Sequence, residues 1–370
     1  MTDMSQDVTY PNKLALLPPP DIKLDDEARG WLLKARVQLA ELKGYCSGLP
    51  NEMLLLSPAI LKEAVASSEI ENINTTIEKV LQQQLFTEME QRPENKEVLR
   101  YREAVLYGFQ SMKDLSLSSR LIREIHKVLL GDRSHGFRKF QNHIENSETG
   151  NIIYTPPAAT EIDDLIANWE KYMHTEDHYG DNLDCRDPLV KCAVSHYQFE
   201  AIHPFNDGNG RTGRILMVLY LTYANVLSHP VLFISGYINK NRPEYYKLLQ
   251  DITLKNEWLP FIKYMLRAFG FQALETKKLL FRLMLQFYET KSEVKTKCKS
   301  IYSADLIDIL FSTPIITPVR LGTLLGIHYT TATRYLKELA SKSFLEHKKI
   351  GKYQLYINSK LIQLLNNNEA

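Results

Sequence analysis

Between Arg214 and Leu227 the chain reads as a helix that is apolar nearly all the way round. A helix without a polar stripe has to be buried on every side, so other helices must surround it. Its apolar part, Ile215 to Leu227, falls well short of the ~20 residues a bilayer-spanning helix needs. It is therefore read as the core of a helical bundle. The helix before it, Pro188 to Ile202, carries apolar residues at 190, 193, 194, 197 and 201, a stripe at helical spacing.

At 370 residues and about 150 residues per domain the chain holds two to three domains. Lys plus Arg number 45 and Asp plus Glu 44, for a net charge of +1, which excludes a general polyanion binder. Cys46, Cys185, Cys192 and Cys298 are too far apart for a C-x-x-C zinc or redox motif, and read as free thiols in a reducing compartment. The start, MTDMSQDVTYPNK, lacks the basic and apolar regions of a signal peptide. The expectation is a cytoplasmic protein with no membrane contact.

A Pro-rich arm, Leu17 to Pro20, precedes an amphipathic helix marked by Trp31, Leu32, Ala35, Leu39 and Leu42. Ser57-Pro58 is read as a helix start, with Ser as N-cap and Pro where no donor is needed, and that helix should run to about Asn72. Further helices are expected at 97–112, 119–130 and 160–173. Phe137 to Thr155, with its turn-rich centre Glu145 to Gly150, suggests a short hairpin. In the last seventy residues, helices at 304–311, 319–325 and 330–342 and strands at 344–347 and 353–357 follow in the order of a winged helix-turn-helix. A boundary is placed near residue 300.

Chemistry concentrates in His203-Pro-Phe-Asn-Asp-Gly-Asn-Gly-Arg-Thr-Gly-Arg214. Gly208, Gly210 and Gly213 spell G-x-G-x-x-G, but a helix precedes them where a dinucleotide fold needs a strand, and no Gly-Lys-Ser/Thr follows. What remains is an anion nest: backbone amides of 208 to 210 turned inward, followed by the positive end of a helix. Arg211 and Arg214 would offer two guanidinium forks to further phosphate oxygens. Asp207 is a hard oxygen ligand suited to Mg2+ shared with a polyphosphate. His203 is placed to take a proton from an attacking hydroxyl.

The segment resembles, at every defining position, the signature of Fic-domain proteins (Fic/DOC superfamily), His-x-Phe-x-(Asp/Glu)-Gly-Asn-Gly-Arg-x-x-Arg. The resemblance implies a mainly α protein, a Fic helical bundle with a β-hairpin flap, here with a C-terminal winged helix-turn-helix. It implies transfer of AMP from ATP to a Tyr, Thr or Ser hydroxyl of a target protein, the chain itself included. His203 would be the base and Asp207 the Mg2+ ligand. Asn206, the amides of Gly208, Asn209 and Gly210, and the Asn209 side chain would hold phosphates, with Arg211 and Arg214 on the β and γ groups. Gln198 and the stretch Tyr237 to Tyr246, Lys240 included, would wall the nucleotide. Ser67-Ser-Glu-Ile-Glu-Asn72 is similar to the inhibitory motif (Ser/Thr)-x-x-x-Glu-(Gly/Asn) found upstream of the Fic core, with Ser67 and Glu71 sharing a helical face. By that resemblance Glu71 would pair with Arg214 and withhold it from the γ-phosphate. The hairpin corresponds in position to the flap that receives an extended target segment, with Ile152 and Ile153 holding the target side chain. The similar parts span about residues 15 to 290.

The resulting division is 1–110, a helical N-terminal region carrying the inhibitory helix; 111–290, the catalytic core; and 300–370, the winged helix. Eight Lys/Arg oppose five Asp/Glu from Ser300 onward, so the winged helix is expected to meet DNA or another protein, and a homodimer is a further expected arrangement. Two other functions stay open on sequence alone: a nucleotide-sensing DNA-binding regulator that transfers nothing, and a Fic enzyme that removes AMP.

Overall fold

Helical periodicity and capping dictate most of the architecture of the computed structural model, which describes residues 10–19, 22–49, 52–85, 92–145, 149–175 and 183–366. In chain order the elements are α1 (Asp26–Ser47), α2 (Glu52–Ile70), α3 (Ile77–Gln83), α4 (Pro93–Leu115), α5 (Ser119–Leu130), β1 (Ile144–Glu145) and β2 (Ile152–Tyr154). There follow α6 (Ile162–His174), α7 (Pro188–Ile202), α8 (Asn209–Tyr223), α9 (Ile234–Lys240), α10 (Arg242–Lys255) and α11 (Trp258–Lys297). The chain continues with α12 (Ala304–Ser312), β3 (Ile315–Ile316), α13 (Pro318–Leu325), α14 (Tyr329–Ser341), β4 (Glu346–Ile350), β5 (Tyr353–Ile357) and α15 (Ser359–Asn366). The protein is mainly α, as expected. Pro20, the first nine residues, the hairpin turn 146–148, the side chain of Cys185 and Glu369 lie outside what is described.

The chain divides into two compact units, each built from two separate stretches: Met1–Gly44 with Arg100–Leu274, and Tyr45–Leu99 with Glu275–Ala370. In the first, α7 and α8 pack along one another, with α6 against α7 and α5 against α8. Every residue of α8 from Arg211 to Leu221 is buried, and so is every residue of α7 from Leu189 to Phe199. At about 1.5–3 kcal/mol for each fully buried Leu, Ile or Val, α8 is a principal source of stability for this unit. Gly108 permits the close approach of α4, since a Cβ there would stand 2.5 Å from Leu219 Cδ1. β1 and β2 pair antiparallel, Ile144 opposite Tyr154, so the expected hairpin is present.

In the second unit α2 packs against α12, and α15 packs against both α2 and α3. The three-stranded sheet has the order β3-β5-β4 with antiparallel neighbours. Three helices, α12 to α14, followed by the β4–β5 hairpin keep the order read from the sequence, with β3 and α15 as additions. The first wing strand begins at Glu346 rather than 344, because Phe344 and Leu345 close α14, with Phe344 N donating to Leu339 O at 3.0 Å.

The start of α2 corrects an expectation. Ser57 is not an N-cap: the helix begins at Glu52 and Pro58 lies inside it. Leu56, Ala59 and Ile60 are at most 1 % exposed, and their burial offsets the ladder bond that proline forgoes. At its other end the helix closes as a Schellman motif: Ile73 N donates to Ser68 O and Asn72 N to Glu69 O, both at 3.0 Å, with Asn72 at φ 60°. That geometry explains why a Gly or Asn belongs at this position.

Candidate active site

His203 to Arg214 connects two helices that are buried along most of their length, so the loop is fixed at each end. Asp187 caps the start of α7, its carboxylate accepting from Leu189 N. His203 ends α7 in the left-handed region, φ 49° and ψ 59°, and its Nδ1 lies 3.3 Å from Glu200 O. Gly208, at φ 78°, turns the chain into α8. A Cβ there would stand 2.7 Å from Leu130 Cδ2, so only glycine fits both the angle and the space. The first amides of α8 have no carbonyl within the helix to bond, which makes this end an anion seat.

The loop is braced from within. Asn209 is buried; its Oδ1 accepts from Phe205 N at 2.8 Å and its Nδ2 donates to Phe205 O at 2.9 Å. Its side chain shapes the loop, and its backbone amide lies at the free end of α8. His126 stacks flat on Phe205, with centroids 3.6 Å apart, while its Nε2 lies 2.9 Å from Asp207 O. Burial holds the His126 pKa below the usual imidazole value.

Arg211 and Arg214 are 2 % and 1 % exposed. Arginine at the positive end of a helix is opposed by the dipole, and burial adds a desolvation cost, so an anion is the natural complement of this pair. Asp207 provides part of it: Oδ1 lies 3.3 Å from Arg211 Nη2 and Oδ2 lies 3.5 Å from Arg133 Nη1, with its side chain 56 % exposed. Asn206 is exposed beside it. Around Arg214 the groups are polar and buried. His196 Nε2 and Tyr245 Oη are 2.7 Å apart, and Glu200 Oε1 is 3.8 Å from His196 Nδ1. Burial, with the Arg214 charge adding to it, takes the His196 pKa down to about 3.

Gln198 and Lys240 each make a contact of their own. Gln198 is 2 % exposed and its Nε2 donates to Ala15 O at 2.9 Å, holding the N-terminal arm to α7. Lys240 is exposed, its Nζ 5.9 Å from the centroid of the Phe271 ring. On the hairpin Ile152 is half-buried and Ile153 is 41 % exposed. In the other unit Ser67 is fully buried and Glu71 is exposed.

Sequence reasoning missed Arg138. It is 2 % exposed, its Nε donates to His203 O at 3.0 Å, and its backbone N donates to Pro204 O at 2.8 Å. The last carbonyls of α7 need donors from outside the helix, and an inventory of those acceptors was the available signal. Burial draws the Arg138 pKa down, but a guanidinium stays charged.

Buried helices joined by a loop that ends at a helix N-terminus, with a histidine held at the end of the first helix, define a helical-bundle protein. Three family profiles match: Fic/DOC family N-terminal over residues 31–110, Fic/DOC family over 116–221, and the C-terminal domain of SoFic-like protein adenylyltransferases over 286–361. The chain belongs to the Fic/DOC family. It is 29% identical over 160 residues to the protein adenylyltransferase Fic of Culex quinquefasciatus, covering 42% of this chain and 27% of that one. It is 28% identical over 177 residues to that of Nematostella vectensis, covering 47% and 38%. The chain thus spans well under half the length of these relatives. Among solved structures, a Fic family protein from Desulfovibrio desulfuricans G20 superposes with TM-score 0.57 at 19% identity, covering 92% of this chain and 98% of that one. Fic-1 from C. elegans superposes at TM-score 0.50 and 18% identity, covering 70% and 74%. These two likenesses speak to fold.

Proposed function

We propose that this chain is a protein adenylyltransferase that moves AMP from ATP to a hydroxyl of a target protein, with Glu71 as a brake. The observation that carries the reading is the burial of Arg211 and Arg214 at the positive end of α8, where a polyphosphate relieves both the dipole and the desolvation cost. The amides of 208 to 210 would take phosphate oxygens, and His203 would accept the proton of the attacking hydroxyl as the bond to the α-phosphorus forms and pyrophosphate leaves. Alignment and charge stabilisation supply most of the rate. A single exposed carboxylate beside the nest, Asp207, fits a Mg2+ that keeps waters and takes its remaining ligands from substrate phosphates.

The target strand would add to the hairpin, with Ile152 and Ile153 against its side chain. Glu71, presented at the Schellman-capped end of α2, would pair with Arg214 and hold ATP in an unproductive pose. The test is label transfer from α-phosphate-labelled ATP onto lysate proteins and onto the chain itself. Glu71→Gly should label strongly, wild type weakly, and Glu71→Gly with His203→Ala not at all; equal labelling by Glu71→Gly and wild type would sink the brake.

One observation favours a second role for the other unit. Between Pro318 and Tyr353 seven Lys/Arg face two Glu, and Thr330, Arg334, Lys337, Lys348 and Lys349 are exposed on α14 and the wing, a surface suited to duplex DNA phosphates. Anisotropy of a labelled random duplex against salt concentration tests it; absence of binding at low salt would end it.

A further inference from the structure

Five consecutive backbone carbonyls at the end of α7 and the start of the loop each accept a hydrogen bond from the hairpin segment. Ala201 O accepts from Tyr154 Oη at 2.8 Å, Ile202 O from Arg138 Nη2 at 3.5 Å and His203 O from Arg138 Nε at 3.0 Å. Pro204 O accepts from Arg138 N at 2.8 Å and Phe205 O from Asn142 Nδ2 at 3.4 Å. Arg138 also reaches both roots of the hairpin, through Nη1 to Phe140 O at 3.2 Å and through Nη2 to Pro157 O. One buried, planar guanidinium thus joins the chain before β1, the chain after β2 and the backbone of the catalytic histidine.

We propose that Arg138 is a positioning residue that fixes the hairpin at a set distance from His203, so that a docked target strand presents its hydroxyl to the base. The inference rests on the AMP-transfer reading above. Strands of two and three residues are too short to hold their own place, so β2 is located from outside, by these bonds together with those of Asn12 to Thr155 O and of Gln141 to Pro156 O. Arginine suits this role because its fork has five donors in fixed directions, whereas a lysine ammonium cannot span three backbones. Its charge lies at the negative end of α7, where the dipole favours it. The nucleotide side of the loop has separate supports, the Asn209 bonds to Phe205 and the contact of His126 with Asp207 O. Loss of Arg138 should therefore separate target transfer from nucleotide handling.

The experiment compares Arg138→Lys and Arg138→Met in the 370-residue Glu71→Gly chain. The readouts are ATP affinity, release of AMP to water, label transferred from α-labelled ATP to lysate proteins, and amide hydrogen exchange. The expected result for Arg138→Met is a loss of protein labelling of thirtyfold or more, with ATP affinity and AMP release within threefold of the parent. Amides of 144–154 should exchange at least tenfold faster while those of α8 stay protected. Arg138→Lys should fall between, and decides the matter should the methionine variant not fold. Retained protein labelling, a parallel loss of all activities and ATP affinity, or unchanged hairpin protection would each overturn the proposal. A parent that labels nothing would instead sink the transferase reading, and the exchange data would still decide Arg138.

Discussion

The two compact units differ in what holds their key residues. Around His203 to Arg214, buried polar side chains have defined partners: Asn209 on Phe205, Gln198 on Ala15, Arg138 on the carbonyls of 202 and 203. The helix that ends beside Glu71, α2, packs against α12 and α15 largely through apolar side chains such as Leu56, Ile60, Leu310 and Leu361, while the basic residues of α14 and β4 are exposed. Fixed hydrogen-bond geometry suits a reaction centre, which loses rate steeply with small misplacements. Apolar packing between helices fixes positions less directionally, which suits a part whose position is to be adjusted.

The largest effect expected falls in the first unit. His203→Ala, in the Glu71→Gly chain, should reduce AMP transfer by about a thousandfold, within the range for a lost general base, with ATP affinity unchanged by calorimetry. Next comes the second unit. Leu310 on α12 is 2 % exposed, and Leu310→Ala should cost about 2–5 kcal/mol by opening a cavity. Loosening the support of α2 should raise label transfer several-fold over wild type while staying below Glu71→Gly. Wild-type transfer from a folded but destabilised variant would show that α12 does not set the brake.

Acid should separate the units further. His196 is neutral in the folded protein with a pKa of about 3, against about 6.5 when unfolded. The unfolded chain therefore binds a proton that the folded one refuses, and stability rises with pH across that window. It should be complete above pH 6.5 and fall by about 1.4 kcal/mol per unit as pH drops toward 3. His126 is shifted the same way, whereas His328 and His347 in the other unit are exposed. Melting followed by hydrogen exchange should show α7 and α8 losing protection in acid before α13 and α14, and His196→Gln should flatten the slope. The smallest effect belongs to Asn72, at φ 60°. Gly should be neutral there, and Ile should cost about 1–2 kcal/mol, read as a lowered melting temperature.

Much of this was legible in the sequence because local rules decided it. The bounds of α7 coincide with those expected, since Asp187, Pro188 and an apolar stripe all mark the same helix. The loop is legible because its residues lie within twelve positions. What escaped was long-range. Gln198 looks like a polar residue on an apolar helix, and its partner Ala15 is 183 positions away. Arg138 looks like a solvated charge in a turn-rich stretch until the carbonyls of α7 are counted. Helices α9 to α11 were not assigned, and the 40-residue α11 contains Pro260 and Gly270, which break up its pattern. Gly270 has its reason in space: a Cβ there would lie 3.2 Å from Ala35 Cα.

The central claim, that the His203 to Arg214 loop transfers AMP under restraint by Glu71, is tested most directly by intact mass spectrometry of lysate proteins and of the chain itself. Each is incubated with ATP and Mg2+ in the presence of the Glu71→Gly chain. A gain of one AMP unit, much weaker with wild type and absent when His203→Ala is added, is the predicted result. Unchanged masses with all three chains, or loss of AMP from a protein already carrying it, would contradict it.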